Sequence, residues 1–146
     1  VVYQAGKGFL PDEETKASSG YNSIRVYLWA GMLDAADPDR AALLARLKPM
    51  AARTIAQGAP PESVDTRDGK PGSDGPPGFS GAMLPMLQAM GEHEAMQVQL
   101  KRSRQPSYGD KPAYYDGVLN LFGRGYIEKR FRFAADGSLE GACAAS

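Results

Sequence analysis

Residues 24–33 are apolar at nearly every position, with Arg25 the only charge among them. A helix of that kind is predicted to be buried on all sides, with its polar groups gathered at the preceding end, around Tyr21, Asn22 and Ser23. The pattern then changes period. Over residues 39–57, Leu43, Leu44, Leu47, Met50, Ala51 and Ile55 recur at threes and fours, while Arg40, Arg46, Lys48 and Arg53 fall mostly elsewhere. This predicts an amphipathic outer helix, with Asp37 as a cap, Pro38 in the first helical position and Gly58 as the stop. Residues 79–90 are again apolar on most sides, and Met83, Met86 and Met90 read as core filler rather than as a soft binding groove. Pro85 either kinks that helix or belongs to its first turns. Residues 92–104 predict a more polar helix with Ala95, Met96, Val98 and Leu100 inward, and with Lys101, Arg102 and Arg104 at a solvated end where cations suit the helix dipole. A last helix opens at Lys111-Pro112 and runs through Tyr114, Tyr115 and on to Phe122.

Between and around these helices lie short extended pieces. Residues 1–4 are β-prone and are broken by the glycines of 5–8, leaving a strand without a partner in reach. Residues 11–20 read as a polar loop. Residues 60–78 are rich in Pro and Gly, with Asp68-Gly69 as a turn, and suit either a plain connecting loop or one that lines a cleft. Residues 128–134 alternate polar and apolar, a strand turned by Ala135-Asp136-Gly137, and the tail after Leu139 is expected to fray. Alternation of buried and amphipathic helices predicts an all-α fold in two concentric layers, with minor β hairpins in the loops.

Composition narrows the partners. Seventeen basic residues balance seventeen acidic ones in a chain of 146, which argues against a nucleic acid or membrane surface held by charge and favours a neutral partner such as a polysaccharide. No run of about 18 apolar residues exists, so no membrane span is predicted, and the first residues lack a charged-then-apolar signal pattern. Cys143 is alone, which excludes an internal disulfide. His93, the one histidine, stands between Glu92 and Glu94; neighbours in a helix point in different directions, so it reads as a surface residue and no metal or other cofactor is expected.

The chemistry concentrates at Tyr21, Asn22 and Arg25. At spacings of three and four on a helix, both Tyr21 and Asn22 would lie near Arg25. A guanidinium keeps its proton, so Arg25 among apolar neighbours must find an anion, a carbonyl or a sugar hydroxyl, or face a water-filled cleft. The plainer alternative is a helix N-terminus with Asn as cap and Arg in an ordinary ion pair.

These residues also resemble a known family. Tyr-Asp, two residues, then Arg at the head of an inner helix is the pattern of glycoside hydrolase family 8, and residues 24–32 resemble the branch that accompanies bacterial cellulose synthase. Residues 74–80 resemble the segment leading to the next inner helix, and residues 114–122 the last inner helix. The resemblance implies an inverting endo-β-1,4-glucanase built as an (α/α)6 barrel, of which residues 1–146 would be the C-terminal part of a single catalytic domain. Twelve helices of about 12 residues with loops of about 5 need well over ~200 residues, so an N-terminal half, as the same protein or a companion chain, is expected to complete it. It further implies a β-1,4-glucan or cello-oligosaccharide as partner and a periplasmic or secreted location.

Inverting hydrolysis needs a general acid on the leaving oxygen and a general base on water, about 6.5–9.5 Å apart. The family's acid lies in the N-terminal half. Its base position here holds Asn22, whose amide oxygen is far less basic than a carboxylate. By the same resemblance Arg25 would fix the residue at 22, Tyr21 would contact the sugar near the cleavage point, and Tyr114 and Tyr115 would face the same mouth. Three readings therefore stand: a glucanase silenced at Asn22, a non-catalytic β-glucan-binding protein derived from the family, and a structural helical module with an incidental polar mouth.

Overall fold

The computed structural model describes residues 2–10, 14, 17–106 and 114–141. In chain order these form β1 (Val2–Gln4), β2 (Gly8–Leu10), β3 (Ser18–Ser19), α1 (Ile24–Gly31), α2 (Arg40–Gln57), β4 (Val64–Asp65), α3 (Pro77–Ala89), α4 (His93–Arg102), α5 (Tyr114–Ile127), β5 (Phe131–Phe133) and β6 (Leu139–Gly141). The strands pair antiparallel as β1-β2, β3-β4 and β5-β6. The fold class is thus the expected one, helices with small hairpins. The predicted helix start at Lys111-Pro112, Cys143 and most of the tail lie outside the described residues.

The centre of the molecule is α3. Every residue from Pro77 to Leu87 is buried, and α1, α4 and α5 pack around it while α2 covers α1 and α3. Met83, Leu84, Met86 and Leu87 have no exposed surface, so Met83 and Met86 are core filler, while Met90 is half-buried against the core. Three glycines let α5 come close: a Cβ on Gly123 would sit 1.9 Å from the Gly81 carbonyl oxygen, and one on Gly78 would sit 2.5 Å from the Asp116 Cα. On the other side a Cβ on Gly31 of α1 would meet the Met86 backbone nitrogen at 2.2 Å. Side chains at these crossings would force the helices apart.

Several sequence expectations are corrected by this packing. β1 does have a partner, because Gly6 and Gly8, both in the left-handed region, turn the chain back into β2. Helix α1 is shorter than expected and not buried all round: it rests on α3 by one side, leaving Val26 and Trp29 49% and 41% exposed. On α2, Thr54 rather than Ile55 is buried, its hydroxyl satisfied by the Met50 carbonyl at 2.9 Å. On α4 the inward stripe is Met96, Gln99 and Ser103, at steps of three and four, which turns Val98 outward to 54% exposure.

The polar members of that stripe are buried because they are bonded. Gln99 accepts from the Ser80 hydroxyl at 2.7 Å and donates to the Gly58 carbonyl at 2.9 Å. Arg102, expected in solvent, instead folds over the start of α3 and donates to the carbonyls of Gly75 and Pro76 and to Ser80 Oγ. One network therefore ties the end of α2, the entry to α3 and α4. Gln99→Ala leaves Ser80 and Gly58 short of partners in a dry site and is expected to lower stability by about 2 kcal/mol, read as a lower urea midpoint at unchanged m-value.

Candidate functional site

The chain enters α1 through a turn at residues 20–23, in which the N–H groups of Ser23 and Ile24 bond to the Gly20 carbonyl at 2.9 and 3.0 Å. Tyr21 and Asn22 therefore precede the helix rather than lying on it. The turn is held against the 60–78 loop by β3-β4 pairing, Ser18 with Asp65 and Ser19 with Val64, and by Thr66, whose N–H and hydroxyl both donate to the Ala17 carbonyl. Gly20 presses on the carbonyl oxygen of Glu62, at 3.1 Å from where a Cβ would stand. Along this seam runs an open groove of about 430 Å³ lined by Ser18, Gly20, Tyr21, Asn22, Ser23, Glu62 and Ser63.

Arg25 folds back on the turn. Its Nη2 donates to Asn22 Oδ1 at 3.0 Å and its Nε to the Asn22 carbonyl at 3.4 Å. The guanidinium is thus exposed and fixed on the amide. Tyr21 is held from three sides: its hydroxyl donates to Glu62 Oε1 at 2.7 Å, its ring meets Phe79 of α3 edge-on at 5.0 Å, and it lies 5.8 Å from the Tyr115 ring. The Tyr115 hydroxyl donates to the Tyr21 carbonyl. Among the residues singled out in the sequence, Tyr21, Asn22, Arg25 and Tyr115 come together. Tyr114, 84% exposed at the start of α5, does not line the groove. His93 is exposed, as expected.

Glu62 was not singled out in the sequence, nor was the second carboxylate nearby, Asp116, buried in the first turn of α5 with its charge acting on Tyr21 and Tyr115. The only sequence cue to Glu62 is a lone charge directly after Pro60-Pro61. Ser73 also donates to it, at 3.2 Å to Oε2. The electrostatic result is clear at Tyr21, whose phenol is pushed up to about 12 by the hydrogen bond to Glu62, then by burial, then by the negative charges of Glu62 and Asp116. Burial likewise raises Tyr115, with Arg25 opposing and Asp116 adding.

A pH dependence follows. A phenol with a folded pKa above its ordinary 10.0 contributes stability that is complete below pH 10 and is lost as pH rises through about 12. Tyr27, Tyr115 and Tyr126 are shifted the same way, so the Tyr21 share is the difference between the protein and Tyr21→Phe. That difference in urea midpoint is expected to shrink between pH 10 and about 12.

Residues 1–129 match the sequence profile of glycosyl hydrolases family 8. The chain belongs to that family. It is 46% identical over 139 residues to an endoglucanase of Salmonella typhi, covering 95% of this family-8 chain and 37% of the relative. An endoglucanase of Escherichia coli K12 is 45% identical over the same shares, and one of Xanthomonas axonopodis pv. citri is 44% identical over 137 residues, 92% of this chain and 35% of that protein. The backbone superposes on the crystal structure of an endo-1,4-D-glucanase from Vibrio fischeri ES114 with a TM-score of 0.75 at 32% identity, over 92% of this chain and 39% of that one. The helices and hairpins described above are accordingly part of a family-8 helical barrel, and the chain spans little more than a third of the relatives it matches.

Proposed function

We propose that this chain is the C-terminal part of the catalytic domain of an inverting endo-β-1,4-glucanase, and that its groove at residues 20–23 and 62–63 receives a β-1,4-glucan. The observation that carries the reading is the meeting of Tyr21 and Asn22 at one open groove, with Arg25 bonded to the Asn22 amide, in a chain of this family. In this reading Asn22 stands where the base would take a proton from water, Arg25 fixes it, and Tyr21 and Tyr115 supply ring surface to the apolar faces of sugar residues. An N-terminal half supplies the general acid and the remaining inner helices.

With an amide at position 22 the site binds and orients glucan but does not activate water, so the protein as it stands is silent in hydrolysis. The same observation supports a second reading, a glucan-binding protein derived from the family. The proposal carries with it a role beside the cellulose-producing machinery and a periplasmic or secreted location. Calorimetric titration with cellohexaose tests it. Binding that weakens at least about tenfold in Tyr21→Ala, as expected for losing one stacking ring, supports a groove at this mouth. Binding unaltered by that change places the glucan elsewhere.

A further inference from the structure

Tyr21 and Asn22 sit in a turn rather than in a helix, so no helical ladder fixes their side chains. The Tyr21 hydroxyl is fixed from 41 residues along the chain. Glu62 takes the Tyr21 phenol on Oε1 and the Ser73 hydroxyl on Oε2, so its carboxylate is itself immobilised. Glu62 is only half-buried and borders the groove. From the opposite side Phe79 and Tyr115 bracket the same ring, and Tyr115 holds the Tyr21 carbonyl. The Asn22 amide follows Tyr21 directly and carries Arg25.

We propose that Glu62 is the positioning residue of the groove: by holding the Tyr21 phenol it fixes the 20–23 turn, and so aims the Asn22 amide and Arg25 at whatever the groove takes. With its proton committed to Glu62, the Tyr21 hydroxyl presents only lone pairs to a ligand. It therefore accepts from a sugar hydroxyl and does not donate to one. The charged and titratable groups around Tyr21 are Glu62 from the loop, Tyr115 and Asp116 from α5 and Arg25 from α1; Phe79 faces it from α3. Of these Glu62 alone accepts its proton in a hydrogen bond. This inference rests on the glucan reading only for what the turn is aimed at.

The test follows the Tyr21 phenol by ultraviolet difference titration against Tyr21→Phe, and the Asn22 side-chain amide by NMR, in the protein, Glu62→Gln and Glu62→Ala. Removing the acceptor in Glu62→Ala is expected to bring the phenol from about 12 part of the way toward its ordinary 10.0, burial and the Asp116 charge still holding it up, and to collapse the Asn22 amide pair toward free-asparagine shifts. Glu62→Gln keeps an acceptor and loses the charge. It should leave the amide pair dispersed and the phenol at an intermediate value. An unmoved phenol, or an Asn22 amide unchanged in Glu62→Ala, overturns the proposal, as does a Gln variant as disordered at Asn22 as the Ala one. Unaltered spectra at Met83 and Leu119 in the core exclude unfolding as the cause. Adding cellohexaose to the same samples separates the two ideas: if these outcomes appear but no sugar perturbs the Tyr21 or Asn22 signals, the glucan reading fails and the positioning role stands.

Discussion

Asn22→Asp, made in the protein with its whole catalytic domain, is expected to raise the release of reducing ends from carboxymethylcellulose by on the order of 10²–10⁴-fold, the span a positioned general base supplies. The substitution exchanges an amide nitrogen for an oxygen and changes no volume. Oδ1 at position 22 already receives Arg25 Nη2 at 3.0 Å, so a carboxylate arrives in a bonded, oriented place. The guanidinium would keep it ionised, and an ionised carboxylate is what water activation needs. Arg25→Ala in that background is expected to lose most of the gain, because the carboxylate is then free to rotate. If Asn22→Asp binds cellohexaose as before and releases no additional reducing ends, the glucanase reading gives way to the binding-protein reading.

Gly123→Ala is expected to lower stability by about 3 kcal/mol, the upper range for overpacking a tight core, which for a chain of this size corresponds to a Tm lower by roughly 10 °C. The new Cβ would lie 1.9 Å from the Gly81 carbonyl oxygen and 2.7 Å from its carbon. These are backbone atoms inside α3, so no side chain can swing away and the two helices must part. The damage reaches the groove, because α5 carries Tyr115, whose hydroxyl holds the Tyr21 carbonyl. Gly117 on the same helix provides the control. A Cβ there meets nothing within 4 Å, and Gly117→Ala should be neutral or stabilise by up to about 1 kcal/mol through helix propensity. Scanning calorimetry of the two variants checks the pair. Equal Tm values would show that α3 and α5 do not approach as described.

Much of the scaffold was legible in the sequence because it rests on local signals. Gly58 ends α2 in the left-handed region, Asp68-Gly69 turns the long loop, and the run of α3, apolar on most sides, marks a buried helix. What was misjudged depends on partners distant in sequence. Val98 was expected inside and Gln99 was not, because an apolar pattern carries no record of Ser80 and Gly58 waiting to satisfy an amide. Arg102 and Arg104 look alike on paper; only one of them lies over the open carbonyls that precede α3. At the groove, Tyr21, Asn22 and Arg25 stand out through their spacing together with the family resemblance, whereas Glu62 shares no local motif with them and arrives only because β3 pairs with β4. The expectation that α1 would be buried all round failed for a related reason. Val26 and Trp29 are apolar, yet among the described residues the elements packed on α1 cover one side of it.

The most direct test of the glucan site is a crystal structure of the protein, with Asn22 in place, grown with cellohexaose. Sugar rings are expected in the groove between the 20–23 turn and Glu62-Ser63, with one ring face on Tyr21 and a sugar hydroxyl or ordered water on Asn22. Glucan bound on another face, with this groove filled by disordered solvent alone, would contradict it.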